Sequence, residues 1–87
     1  MTDVEGIIRK VLKSGKYYFG SKRTIKALKK GEAKAVIVAK NCPEDVIFEI
    51  KKYNVPVYTY EGTNMELGAL CGKPYSIAAM VVTEQIE

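Results

Sequence analysis

Residues 35–39 read Ala-Val-Ile-Val-Ala, an unbroken apolar run of strand length. A strand buried on one face only would carry a polar residue at every second position, so an unbroken run predicts a strand covered on both faces. Such a strand requires helices above and below its sheet. This short segment therefore predicts an α/β fold with helices on both sides of a sheet.

Helix signals lie before and after this run. Each predicted helix combines apolar residues at helical spacing with a capping residue or a closing glycine. The first predicted helix runs from a capping box at Thr2 and Glu5 to Gly15, and its apolar face consists of Val4, Ile7, Ile8, Val11 and Leu12. The second is capped by Ser21, has Ile25 and Leu28 inward and is ended by Gly31. The third has Pro43 at its first position and a buried face of Val46, Ile47, Ile50 and Tyr53, and the fourth is capped by Thr63 and Glu66 and ended by Gly72.

Three further β-prone segments separate these helices. They are residues 17–19, 55–60 and 77–82. The resulting order, αβαβαβαβ, has short connections and no linker, low-complexity segment or internal repeat. We therefore predict one domain over residues 1–87, with its sheet between helix layers.

Composition agrees with a small soluble domain. The chain has 87 residues, of which 47% are hydrophobic and 28% charged. No apolar run approaches the roughly 18 residues that a membrane span needs, and the first residues lack the pattern of a signal peptide. We expect a cytoplasmic protein with no membrane partner.

Catalytic and cofactor signals are weak. There is no histidine, the two cysteines match no zinc spacing, and neither GxGxxG nor GxxxxGK[ST] occurs, so no metal or cofactor is expected. Cys42 precedes Pro43 at a predicted helix start, where the helix dipole could lower the pKa of a reactive thiol. The alternative is a structural cysteine, and Cys71 is predicted to be a packed core residue. We expect the protein not to be an enzyme.

Charge is distributed unevenly along the chain. Residues 1–41 carry eleven Lys or Arg against three acidic residues, a net +8, whereas residues 42–87 carry three against seven, a net −4. A polyanion would be attracted to surfaces contributed by the first half. The alternative is a solvated surface that keeps the protein soluble.

The start of the second helix combines several features of a phosphate site. Gly20 lets a ligand backbone approach closely, and the amides of residues 21–24 are predicted to be free at the positive end of the helix dipole. Exposed cations and hydroxyls add to this surface. The predicted contributors are Gly20, Ser21, Lys22, Arg23, Thr24 and Lys26. The alternative is an ordinary capped helix with a lysine-rich solvent face.

Two other connections are predicted to share this surface, because strand-to-helix junctions tend to emerge at one end of a sheet. Asn41 could hydrogen-bond to bases, although asparagine before a helix is often only a cap. The second connection is Gly72, Lys73, Pro74 and Tyr75, in which the tyrosine could stack on an unpaired base. Its alternative is a turn with a packing tyrosine.

Two long motifs resemble a known family. They are GxKxTIKALKKGxAKxVIVAKN at residues 20–41 and VPVYxYEGTNxELGxLCGKP at residues 55–74. They are similar to the kink-turn RNA-binding superfamily of ribosomal proteins, and most similar to its L-thirty-e branch from the large subunit of archaeal and eukaryotic ribosomes. The resemblance extends over residues 15–82.

The resemblance implies a three-layer αβα sandwich with a four-stranded mixed sheet. It also implies a protein that grips a sharply bent, internally looped RNA helix, as a constituent of the large ribosomal subunit. The matched RNA-binding positions are Gly20, Lys22, Arg23, Thr24, Lys26, Asn41 and residues 72–75. The expected partners are large-subunit ribosomal RNA and neighbouring ribosomal proteins, with a monomer in the free state.

Lys22 and Arg23 depart from one branch of this superfamily. The branch that serves modification-guide RNAs carries an Asn-Glu pair at these positions, so the guide-RNA role is less favoured. A stand-alone kink-turn binder and a protein-interaction module with a merely solubilising basic face remain as alternatives.

Overall fold

The fold alternates helices and strands, as the sequence predicts. The computed structural model describes residues 4–83. Its elements are α1 (Val4–Ser14), β1 (Tyr17–Phe19), α2 (Ser21–Lys30), β2 (Ala35–Ala39), α3 (Glu44–Lys51), β3 (Val57–Tyr60), α4 (Asn64–Leu70) and β4 (Ala79–Val82). The predicted capping box at Thr2 lies outside the described residues.

The four strands form one mixed sheet in the order β1-β4-β2-β3. β4 pairs antiparallel with both β1 and β2, and β2 pairs parallel with β3. The two interior strands are therefore β2 and β4. All five residues of β2 and all four of β4 are buried, which confirms the prediction from the apolar run.

Two helix layers cover the sheet, so the predicted three-layer αβα sandwich is confirmed. Residues of α1 and α4, such as Ile8 and Leu67, pack with Ile37 and Met80 on one face. Residues of α2 and α3, such as Leu28 and Ile50, pack on the other face. Successive residues of β2 point into opposite layers because side chains alternate along a strand.

Some predicted boundaries are wrong. Pro43 is the residue before the first turn of α3 and not the first helical residue. Strands β3 and β4 begin two residues later than predicted, at Val57 and Ala79. Pro56 lacks the amide that a ladder would need at that point. Of the predicted buried face of α3, only Ile50 is fully buried.

The predicted capping box at Thr63 and the predicted helix stops are confirmed. Thr63 accepts a hydrogen bond from the Glu66 amide and Glu66 reaches back, which completes the capping box. The predicted helix stops at Gly15, Gly31 and Gly72 all have left-handed backbone angles. No helix within residues 4–83 is both long and apolar enough to cross a membrane.

Ile37 is a direct probe of the two-sided core, since it is fully buried between Met80 and Tyr58 of the neighbouring strands. Ile37→Ala is expected to lower the free energy of unfolding by about 2–5 kcal/mol, and Ile37→Val by about 1 kcal/mol. Urea denaturation measures both. Equal, small losses for the two variants would contradict a tightly packed central strand.

Candidate nucleic-acid interface

The direction of the strands brings four connections to one edge of the sheet. β1, β2 and β3 run the same way and β4 runs the opposite way, so three strand ends and one strand start share an edge. We call this region the loop edge. It comprises the start of α2 at Gly20, the β2–α3 connection with Asn41, the start of α4 at Asn64, and the loop of residues 72–75.

Backbone hydrogen bonds join these connections. The Gly20 amide donates to the Ala79 carbonyl at 2.9 Å, and the Ile77 amide donates to the Asn64 carbonyl at 2.9 Å. The amide of Lys40, next to Asn41, donates to the Gly62 carbonyl at 2.9 Å. The loop edge is therefore held in place by the protein itself.

Gly20 makes the turn from β1 into α2. Its backbone has φ 105° and ψ 147°, a conformation that residues with a side chain rarely adopt. A Cβ added there would meet nothing within 4 Å, so backbone conformation and not packing requires the glycine. The space beside the Gly20 Cα is therefore open. Gly20 is also the N-cap, so the prediction that Ser21 caps α2 is wrong: Ser21 is the first helical residue.

Thr24 differs from its predicted role. It is fully buried, and its hydroxyl donates to the Gly20 carbonyl at 2.8 Å. Its amide donates to the same carbonyl at 2.9 Å, so the predictions of a surface hydroxyl and a free amide at Thr24 are wrong. Thr24 fixes the first turn of α2 instead.

The three preceding amides remain available. Within the described part of the chain, the amides of residues 21–23 donate to no other group. Unpaired amides at a helix start carry partial positive charge and attract anions. The predicted anion site therefore consists of residues 20–23.

Basic side chains of α2 surround this helix start. Lys22, Arg23 and Lys26 are exposed. The Arg23 guanidinium lies 5.8 Å from the centroid of the Tyr18 ring, an aromatic contact that orients the cation. Arg23, Lys26 and Lys30 line a concave surface beside Tyr18, and the hollow that it encloses has a volume of about 350 Å³. From the sequence, residues 17–19 were predicted only as a strand, and the contact between Tyr18 and Arg23 was missed.

Asn41 is joined to Asn64 across the loop edge. The Asn41 side-chain nitrogen donates to Asn64 Oδ1 at 3.1 Å, and the Asn64 amide donates to Asn41 Oδ1 at 2.8 Å. Asn41 keeps a second side-chain N–H and a second lone pair for a ligand. Asn64 Oδ1 also accepts a hydrogen bond from the Met65 amide at 2.9 Å, so Asn64 offers a ligand its side-chain N–H groups. Asn64 was missed as a site residue. Its position just after a strand-to-helix junction was the signal that could have found it.

The loop of residues 72–75 packs against the other end of the loop edge. Lys73 Nζ lies 5.5 Å from the centroid of the Phe19 ring, next to Gly20, and the Lys73 amide donates to the Gly68 carbonyl at 2.9 Å. Pro74 and Tyr75 are exposed. Tyr75 is thus a surface aromatic, and the alternative of a packing tyrosine does not hold.

Cys42 does not have the environment of a reactive thiol. It is buried, and burial raises the pKa of its thiol, with a further contribution from the Asp45 carboxylate. Of the two interpretations, the structural cysteine is therefore the one that the environment of Cys42 supports. Cys71 is a packed core residue, as predicted, and burial raises the pKa of its thiol as well. Residues 4–83 contain no cluster of acidic and cysteine side chains that could hold a metal ion.

Sequence comparison identifies the family. Residues 2–87 match the profile described as Ribosomal protein L7Ae/L30e/S12e/Gadd45 family. The chain belongs to this family. The predicted family relationship is therefore confirmed.

Relatives within the family are similar over nearly the whole chain. A protein of Archaeoglobus fulgidus named Large ribosomal subunit protein eL30 is 65% identical, covering 99% of this chain and 100% of its own. A protein of the same name from Methanosarcina mazei is 45% identical, covering 94% of this chain and 80% of its own.

Solved structures share the fold at low identity. A Giardia lamblia 15.5kD RNA binding protein superposes with TM-score 0.75 at 15% identity, covering 94% of this chain and 72% of that one. A protein of unknown function from Bacillus halodurans C superposes with TM-score 0.76 at 18% identity, covering 92% and 83%. At these identities the similarity shows the fold alone.

Gly68 of α4 tests how the 72–75 loop is positioned. A Cβ at Gly68 would overlap the Tyr75 carbonyl oxygen, which belongs to the backbone and cannot rotate away. Gly68→Ala is therefore expected to displace residues 72–76 and to change their amide chemical shifts in two-dimensional NMR spectra.

The matched control is Gly31→Ala, which lies outside residues 72–76. Gly31 has φ 76° and open space where a Cβ would lie, so this change should cost about 1 kcal/mol of backbone strain without a clash and leave the shifts of residues 72–76 unchanged. Unperturbed shifts at residues 72–76 in Gly68→Ala would contradict close packing of the loop on α4.

Thiol reactivity tests the environment of Cys42. In a Cys71→Ala background, alkylation of the folded protein by iodoacetamide should stay slow until the pH exceeds the ordinary thiol pKa of about 8.5. The urea-unfolded chain should show that ordinary pKa. Fast alkylation of the folded protein at neutral pH would contradict the buried, protonated thiol.

The Cys42 thiol also makes the free energy of unfolding depend on pH. Because the folded pKa of Cys42 is raised above its unfolded value, its contribution to stability is fully present below the unfolded pKa. That contribution is lost as the pH rises through the folded pKa. The free energy of unfolding should therefore fall at alkaline pH, and less so in Cys42→Ala.

Proposed function

We propose that this chain is an RNA-binding constituent of the large ribosomal subunit, and that its loop edge recognises a kink-turn in ribosomal RNA. The relative from Archaeoglobus fulgidus, 65% identical over its full length, is named as a large-subunit ribosomal protein. The Giardia lamblia neighbour is named as an RNA-binding protein. Both names agree with the proposal.

The observation that carries the proposal is the convergence of three kinds of group at the loop edge. Free amides and cations at the start of α2 suit phosphates. The paired side-chain amides of Asn41 and Asn64 suit the edges of bases. Exposed Tyr75 suits stacking on an unpaired base. A bent, internally looped RNA offers all three partners close together.

The binding residues proposed are those predicted from the sequence, with one residue removed and one added. Thr24 holds the first turn and does not contact the ligand through its hydroxyl, because that hydroxyl is buried. Asn64 joins Asn41. The contact set is Gly20, Ser21, Lys22, Arg23, Lys26, Asn41, Asn64, Gly72, Lys73, Pro74 and Tyr75.

The remaining parts of the proposal follow from this role. The chain acts as one domain, as a monomer when free, in the cytoplasm on the ribosome, beside neighbouring ribosomal proteins. It performs no catalysis. The raised pKa of the buried Cys42 supports this, because a protonated thiol is a poor nucleophile.

Binding to a kink-turn RNA and to a fully paired control, across a series of salt concentrations, tests the function. Phosphate contacts make log affinity fall with log salt, and a preference for the kink-turn should survive at moderate salt. Equal, salt-sensitive binding to both RNAs would reduce the loop edge to a generic basic surface. The absence of binding would favour a protein-interaction module.

Lys22→Ala tests the loop edge within this assay. Lys22 is exposed at the helix start, so its loss should weaken binding to the kink-turn RNA by about 1 kcal/mol or more and lower the discrimination against paired RNA. Isothermal titration calorimetry measures both affinities.

The matched control is Lys13→Ala. Lys13 is also an exposed helical lysine, but it lies in the last turn of α1, at the opposite edge of the sheet. It should leave discrimination unchanged. Equal losses for the two variants would argue against localised recognition.

A further inference from the structure

Phe48 is an exposed aromatic residue that the loop edge does not explain. It lies on α3 and is 66% exposed. Among residues 4–83, the other large exposed apolar residues are Tyr18, which contacts Arg23, and Met65 and Tyr75, which line a groove beside the 72–75 loop. Phe48 lines a different groove, of about 530 Å³, together with the half-buried residues Ile25 and Val46.

The rim of this groove is acidic. Glu44, Asp45 and Glu49 line it, although the chain as a whole carries a net charge of +4. Glu49 is paired with Lys52 at 2.9 Å, and this lysine holds the pKa of the Glu49 carboxyl below its usual range. Among the described residues, Glu44 and Asp45 form no salt bridge.

Helix stability accounts for only part of this arrangement. Acidic residues in the first turn of α3 interact favourably with the helix dipole, which is sufficient reason for Glu44 and Asp45. The helix dipole does not explain why an exposed phenylalanine, Phe48, lies one turn further on. Lys52 Nζ lies 5.2 Å from the Phe48 ring centroid and leaves most of the ring in contact with solvent.

We propose that the groove between α2 and α3 binds a cationic segment of another protein. In this interface an apolar side chain of the partner packs on Phe48 and Ile25, while its lysine or arginine residues pair with Glu44 and Asp45. Charge complementarity selects this occupant, because two unpaired carboxylates repel an RNA backbone and attract a basic peptide. An exposed aromatic in a groove is the kind of anchor that protein interfaces use.

The groove and the loop edge use different side chains of α2. Ile25 lines the groove, whereas Arg23 and Lys26 line the basic concave surface beside Tyr18. A partner in the groove therefore does not compete with RNA for these cations. The proposal does not depend on the RNA-binding function.

NMR titration of the isotope-labelled full chain tests the proposal. The probe is a short synthetic peptide that alternates lysine and leucine, with a lysine–glycine peptide and a serine–leucine peptide as controls. Saturable shift changes confined to residue 25 and residues 44–49, with the lysine–leucine peptide alone, are expected. Equal binding of the lysine–glycine peptide, shifts centred on the loop edge, or no saturable binding would overturn the proposal.

Two variants and two matched controls sharpen the test. Phe48→Ser and the double change Glu44→Lys with Asp45→Lys should each weaken peptide binding by about tenfold or more. Met65→Ser is an equally exposed apolar change elsewhere, and Glu32→Lys an exposed charge reversal elsewhere; both should bind as the unmodified chain does. If charge reversal disturbs folding, the milder pair Glu44→Gln with Asp45→Asn takes its place. Unchanged affinity in the groove variants would overturn the proposal.

The remaining occupants are distinguished in the same experiment. Concentration-dependent shifts in the groove without peptide would identify a second copy of the chain and overturn the proposal. Weaker RNA binding by Phe48→Ser would assign the groove to RNA and also overturn it. Failure of RNA binding with peptide binding retained would overturn the proposed function alone.

Discussion

Burial of two adjacent strands on both faces is the constraint on which this structure depends. β2 and β4 form the interior of the sheet, and all of their residues are buried. Each strand must therefore be covered by one helix layer above and another below. The pairing of β4 antiparallel to both β1 and β2 also fixes which loops share an edge. The position of the candidate site thus follows from the way in which the strands are paired.

Much of this architecture was predictable because it depends on local chemistry. The order of elements, the closing glycines and the Thr63 capping box follow from backbone preferences and side-chain spacing. The loop edge was predictable in outline, because strand-to-helix junctions emerge at one end of a parallel arrangement. Strand ends were less predictable. The apolar sequence already begins at residues 77 and 78, two residues before β4 starts at Ala79.

The errors concern contacts between residues that are distant or that compete for one position. Ser21 and Thr24 are both small polar residues after Gly20, and the sequence did not distinguish their roles. Only the structure shows that the Thr24 side chain turns inward and donates to the Gly20 carbonyl. Likewise, 23 positions separate Asn41 from Asn64, so their mutual hydrogen bonds were not visible in any local pattern. For Cys42, the expected influence of the helix dipole on its pKa is outweighed by desolvation, which depends on the surrounding core.

The position of β4 has a consequence for the timing of assembly. β4 is the last described strand along the chain, yet it lies between β1 and β2 and its first residue accepts the Gly20 amide. A nascent chain that has exposed α2 but not yet residues 79–82 cannot close the sheet or complete the turn at Gly20. Such long-range pairings form late, because the intervening chain must first be ordered. The start of α2 thus acquires its final geometry only when the sheet is finished, so the proposed binding surface depends on the last strand that the structure describes.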